Sequence, residues 1–136
     1  MIKEYSLKND GNTYLSQHFQ VKEFRCRDGN DCIMIDTQLV NLLEAIRQHY
    51  NKAVHINSAY RTSIYNSKIG GSPSSRHLTG QASDIYINDV TPKMLYTYIN
   101  SIIPNCGGIG LYKTFVHVDT RPTKSRWDYS NKWYIS

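Results

Sequence analysis

Three residues of this sequence have the types and spacing to hold a metal ion. His77 and Asp84 fall in Ser75-Arg-His-Leu-Thr-Gly-Gln-Ala-Ser-Asp84, and His117 falls in Phe115-Val-His-Val-Asp119. Two imidazoles and a carboxylate suit a catalytic zinc, which takes three N or O ligands from the protein and keeps one position open for water. A structural zinc would ask for a fourth protein ligand, commonly cysteine. The three cysteines, Cys26, Cys32 and Cys106, have neither CxxC nor zinc-ribbon spacing. They read as reduced, partly buried thiols, with a Cys26–Cys32 bridge conceivable in an oxidising compartment.

For the three ligands to meet, the chain must bring two distant segments side by side. Gln81–Ile87 and Phe115–Asp119 both alternate apolar and polar residues with the period of half-buried strands. Ile85, Ile87, Val116 and Val118 would then face a core. Side chains of a strand point alternately to opposite faces, so Asp84, His117 and Asp119 all fall on the other side of the sheet. His77 precedes its strand by a turn containing Gly80, which lets the ring fold back toward Asp84.

The remaining elements follow from the same patterns. Asp36 N-caps a helix through Tyr50 with a stripe of Leu39, Leu42, Leu43, Ile46 and Tyr50. A strand over 53–58 has Val54 and Ile56 inward, and Ile64–Ile69 forms a short helical turn ahead of the breaker-rich loop Gly70–Ser75, expected to rim the site. Thr91-Pro92 opens a second helix that Pro104 and Gly107 end at about Ile103. Gly107–Tyr112 is another strand or hairpin arm. Trp127 and Trp133 are expected to cover the sheet or the groove edge. His18, His49 and His55 have no partner at ligand spacing and read as surface or packing residues, although the parity of His55 opposes Val54 and Ile56.

Several of these segments also carry a family likeness. Ser58-Ala-Tyr-Arg-Thr62, Tyr65-Asn66, Gly70-Gly71, Ser75-x-His77-x-x-Gly80-x-Ala82-x-Asp84, Gly107-Gly-Ile-Gly-x-Tyr112 and Phe115-Val-His-Val-Asp119 occur in the order seen in the M15 group of zinc D-Ala-D-Ala carboxypeptidases and peptidoglycan endopeptidases. The chain resembles that group from about Ser16 to Trp127. The resemblance implies a small α+β fold of the hedgehog/DD-peptidase kind, an antiparallel sheet with flanking helices, in a single domain over 1–136. It implies that His77, Asp84 and His117 bind Zn2+ and that Arg61 points its guanidinium at a substrate carbonyl or carboxylate. Many relatives carry a glutamate three residues before the last histidine to take a proton from the attacking water. Here that position is Thr114, whose hydroxyl is no base near neutral pH. Asp119 is the nearest acidic residue on the right face for that role. It is also placed to orient His117 by a hydrogen bond, which its position two residues along the same strand favours. Tyr112 could contribute a hydroxyl to the transition state or simply pack.

Composition sets limits on partners. A chain of 136 residues is long enough to bury a core without staples. No apolar run is long enough to span a bilayer, and the N-terminus lacks the apolar stretch of a secretory signal. The formal net charge of +5 suits attraction to an anionic bacterial wall. Lys113, Arg121, Lys124, Arg126 and Lys132 group loosely near the C-terminus without any nucleic-acid-binding pattern, so nucleic acid is not expected as a partner. The expected protein is a monomeric zinc peptidase cutting peptidoglycan stem peptides at the cell wall, delivered by a phage, released through a holin, or part of a longer exported chain. The competing expectation is a wall-binding module that keeps the metal site and has lost its base.

Overall fold

Alternation and capping place the main elements where the sequence suggests. The computed structural model describes all 136 residues. Strand β1 (Ile2–Ser6) and helix α1 (Leu7–Asp10) lead to β2 (Cys32–Asp36), α2 (Thr37–Tyr50), β3 (His55–Ser58), α3 (Ser63–Lys68) and β4 (Ala82–Tyr86). Then come α4 (Pro92–Ile102), β5 (Gly108–Leu111), β6 (Val116–Asp119) and β7 (Ser125–Asp128). Asp36 caps α2 through the Gln38 N–H, and Thr91 caps α4 through that of Met94, with proline in the first helical turn.

The strands form two sheets. β1 and β2 pair antiparallel, and the larger sheet runs β3-β4-β6-β5-β7. The expected antiparallel sheet is correct for β3 through β5, but β7 joins the edge parallel to β5. The stretch after Asp119 shows no strong strand alternation, and the strand forms because Gly107 and Arg121 tie the chain back: the Gly107 N–H donates to the Arg121 carbonyl and the Ser125 N–H to that of Gly107. β1 and β2 were likewise outside the sequence reading. Their partners lie at opposite ends of a long separation, Ile2 against Asp36, and only tertiary pairing reveals it.

One face of the large sheet is the core. Ile85, Ile109, Val116 and Val118 are buried there with Leu39, Leu43 and Ile46 of α2 and Leu95 and Ile99 of α4. Leu42 and Tyr50, expected in the stripe, are half-buried at its margin, where Val40 is buried instead. Of the β3 residues expected inward, Val54 is buried and Ile56 half-buried. Trp127 lies in β7, whereas Trp133 stands 74 % exposed with the Lys113 ammonium over its ring. All three cysteines are free, with Cys26 buried, Cys32 half-buried and Cys106 exposed. No helix is long and apolar enough to cross a membrane.

The small sheet fixes the approach to the opposite face. Gly80 sits at φ +76°, where a Cβ would also lie 2.3 Å from the Met34 carbonyl oxygen, so the turn carrying His77 can close on β2 only with glycine. The Gly80 carbonyl accepts from the Asp36 N–H, and the Asp36 carboxylate accepts from the Thr120 hydroxyl just beyond β6.

Away from this face, Glu44 of α2 anchors the segment before the short 3-10 turn Val21–Phe24. It accepts from the Ser16 hydroxyl, the His18 N–H and the His18 ring. Burial alone would raise its pKa, but these bonds hold it down at about 2, from an ordinary value of 4.5. A depressed carboxylate contributes stability that is present above its unfolded pKa and lost as pH falls through the folded one. Glu44→Gln should therefore be less stable than the parent near neutral pH, and the gap should narrow between about pH 4.5 and 2. Denaturant unfolding of both proteins across that range is the check, and a pH-independent gap would contradict it.

Candidate metal centre

The antiparallel register sets the site. Asp84 of β4 pairs with His117 of β6, which pairs with Gly110 of β5, which pairs with Trp127 of β7. These four therefore stand in a row on the face away from the core. Ser58 of β3 extends the row beyond Asp84. His77 arrives from the 3-10 turn Arg76–Thr79, where the Ser75 hydroxyl accepts the His77 N–H and Gly80 ends the turn.

The structure brings together the three ligands proposed from sequence. His77 Nε2 and His117 Nδ1 each lie 3.2 Å from Asp84 Oδ1, and one donor atom from each residue falls within 4.8 Å of the others. All three side chains are buried. Tetrahedral zinc with ligands at about 2.0–2.1 Å separates neighbouring donor atoms by roughly 3.3 Å, close to what the two pairs show.

The ring orientations fit a metal as well. His77 Nδ1–H donates to the Ala59 carbonyl at 2.6 Å, and His117 Nε2–H donates to Asp119 Oδ2 at 2.7 Å. Each ring thus has one nitrogen committed and turns the lone pair of the other toward Asp84. A carboxylate and two lone pairs facing one another in a buried site call for a cation. Burial chiefly lowers the pKa of His77. Burial also works against the charged form of His117, but its bonds to Asp119 and Asp84 prevail and raise it. Asp84 is held far below the usual carboxylate range: burial opposes ionisation, and the two imidazoles overcome it.

Arg61 and Asp119, the other residues proposed from sequence, lie on two sides of this set. Arg61 is 2 % exposed, and burial pulls its pKa down. Its Nε donates to Ser58 Oγ, one terminal nitrogen donates to Asn66 Oδ1, and the other stands 3.4 Å from Asp84 Oδ2. Gly71, in the breaker-rich loop, abuts this group, since a Cβ there would fall 2.1 Å from Asn66 Oδ1 and 3.1 Å from an Arg61 nitrogen. Ser136 also reaches Arg61: its main-chain oxygen accepts from the guanidinium at 2.7 Å while its hydroxyl donates to Asp84 and lies 3.3 Å from His77 Nε2.

Asp119 is fully buried, and its oxygens are surrounded. Besides His117 it accepts from the Gly108 N–H and from the Arg121 N–H, Nε and terminal nitrogen, the last at 2.7 Å. Burial works against its charge, but His117 and Arg121 hold the carboxyl far below the ordinary range. Thr114 lies exposed in the bend between β5 and β6.

Trp127, expected over the sheet or the groove edge, and Tyr112 make the far wall of the site. Trp127 packs against His117, 5.1 Å between ring centroids, and its indole N–H donates to the Tyr112 hydroxyl at 3.0 Å. This is possible because residue 110 is glycine, whose Cβ would lie 2.3 Å from the indole nitrogen. Tyr112 stacks on Phe115 and is pushed up to about 12, chiefly by burial, so its hydroxyl keeps its proton. The Gly-Ile-Gly spacing was the available signal for a flat patch.

Residues 17–119 match the family described as Peptidase M15. The match spans most of the chain and includes all three ligands and Arg61, and the chain belongs to that family. M15 peptidases are zinc-dependent enzymes that hydrolyse peptide bonds, and His77, Asp84 and His117 form the group here able to bind the metal. No curated protein matches the chain.

Replacing Asp119 by asparagine keeps the shape and removes the charge that fixes His117. The expected result is a loss of zinc affinity of about ten- to a hundredfold, with activity partly restored by added zinc. Competition titration against a chelator reads the affinity. An inactive Asp119→Asn protein with parental zinc affinity would instead place the proton transfer on Asp119.

Proposed function

We propose that the protein hydrolyses peptide bonds of bacterial cell-wall peptidoglycan, as a D-Ala-D-Ala carboxypeptidase or a stem-peptide endopeptidase. The observation that carries the reading is the convergence of His77, Asp84 and His117 beside the buried guanidinium of Arg61. Bound by these three ligands, zinc supplies Lewis-acid activation of water and of the scissile carbonyl.

The protein's own groups supply the oxygen contact, the ligand orientation and a proton donor. Arg61, braced by Ser58 and Asn66, takes a carbonyl or carboxylate oxygen of the substrate and faces the charge that develops there. Asp119, locked by Arg121 and Gly108, holds the His117 ring so that Nδ1 faces the metal. Tyr112, its oxygen fixed by the Trp127 N–H, retains a proton to donate to the reacting group. The cationic chain acts at the wall as a monomer, arriving by phage delivery, holin release or as part of a longer exported protein.

Thr114 is the feature that favours the second reading, a wall-binding module without turnover, because it leaves an exposed hydroxyl at the position where the resemblance, in many of its members, implies a glutamate. Release of new amino and carboxyl termini from purified peptidoglycan by the zinc-loaded protein decides between them. His117→Ala should remove both zinc and release. Arg61→Lys should keep zinc and lose the rate by at least about tenfold, because a point charge does not replace a braced planar fork. Wall binding without release, or a parental rate in Arg61→Lys, would overturn the respective assignments.

A further inference from the structure

The metal-bearing face continues past Asp84 into a groove that none of the residues above uses. Tyr86 lies two residues beyond Asp84 on β4 and so on the same face, and its partner on β3 is His55, with the two rings stacked at 4.7 Å. Phe115 precedes Val116, the residue paired with Ile85, and its ring stacks on Tyr112 at 4.5 Å. These two stacked pairs, His55–Tyr86 and Phe115–Tyr112, make an aromatic row beside the metal row, with Tyr86 about 7 Å along β4 from Asp84 at 3.2–3.4 Å per residue. At the β3 end the row opens into a groove of about 380 Å³ whose lining includes His55, Asn57, Tyr86, Glu23, Arg25 and Arg27.

The charge in this groove is unbalanced. Neither Arg25 nor Arg27 has a carboxylate within 4 Å; every ion pair of the protein lies elsewhere. Glu23, the one acid in the lining, accepts the Gln20 N–H at 2.8 Å and pairs with neither arginine. Arg27 bonds to the carbonyls of Ile56, Asn57 and Glu23, and Arg25 to that of Lys22. The two guanidiniums are close enough for Arg25 to oppose the charge of Arg27, which burial already disfavours. Their bonds to neutral carbonyls leave both charges without a counter-ion.

We infer that this groove binds a carboxylate of the same peptide that the metal site cleaves, two or three residues from the scissile bond. This rests on the peptidase reading and deepens it. An extended peptide advances about 3.3 Å per residue, and His55 at the mouth of the groove lies two residues along β4 and one strand across from Asp84, so the groove begins roughly two to three residues of substrate from the metal row. The aromatic row supports the intervening segment, and Arg25, the less committed of the two arginines, meets the acidic group.

The test uses two synthetic peptides that differ only in carrying a carboxylate or a carboxamide at that distance from the cleavable bond. Their binding to zinc-loaded parent, Arg25→Glu and the milder Arg25→Gln is measured by calorimetry at low salt. The parent should bind the carboxylate peptide about five- to tenfold more tightly. Both variants should lose that preference, keep the parental affinity for the carboxamide and keep their zinc. Arg27 is left in place because it holds the β3 carbonyls. Equal affinity of the parent for the two peptides, no binding of either, or a preference that survives both variants would overturn the inference. Cleavage is followed in the same samples: a preference lost in the variants, without cleavage of either peptide, would remove the peptidase reading and leave the groove standing.

Discussion

A buried carboxylate needs compensation, and most of the site's architecture answers the need of Asp84. Its charge lies out of water at the centre of a sheet, where an unpaired ion costs several kcal/mol even after relaxation. Two imidazoles and a guanidinium surround it. Each of these is held from behind by a group that costs the core little: a backbone carbonyl for His77, a carboxylate–arginine pair for His117, and hydroxyl and amide side chains for Arg61. The arrangement is rigid because every donor has a partner. It is also incomplete in charge, because the ring nitrogens that face Asp84 present lone pairs, and a dication satisfies all three at once.

The tether of each ligand shows why both sheets matter. β4 and β6 align Asp84 with His117 through four residue pairs. His77 has no strand of its own and depends on Gly80 fitting under β2, so the small sheet, far from the chemistry, sets one ligand's position. Asp36 joins the same regions by capping α2, accepting from Thr120 and donating its N–H to Gly80. A disturbance at any of these points would reach the ligands as a displacement and not as a lost contact.

What the sequence made legible was local. Period-two alternation in 81–87 and 115–119 told which side chains share a face, and the caps at Asp36 and Thr91 marked the helices to within a residue. The motifs around Ser58 and Ser75 pointed to Arg61 and His77. The pairing of β1 with β2 was not legible, nor was the parallel addition of β7, because both depend on segments distant in the chain or on backbone ties with no side-chain signature. Arg121 was therefore missed as part of the site, and Trp127 was foreseen as a cover of the sheet or groove edge but not as the partner of His117. Both lie beyond residue 119, where the family match ends, and yet one holds Asp119 and the other walls His117. The basic grouping near the C-terminus divides: Lys113, Lys124 and Lys132 are exposed, while the two arginines bond to the protein itself. Arg121 turns onto Asp119, and Arg126 donates to the carbonyls of Ile103, Cys106 and Gly107.

The guanidinium of Arg27 closes the outer edge of β3 by taking the Ile56 and Asn57 carbonyls. An exposed strand edge commonly captures peptides as an added strand, and that mode demands a regular backbone of L-residues in register. With two carbonyls of this edge already taken, a further strand would find few acceptors there, and the sheet is discouraged from growing on the β3 side by edge pairing with another chain.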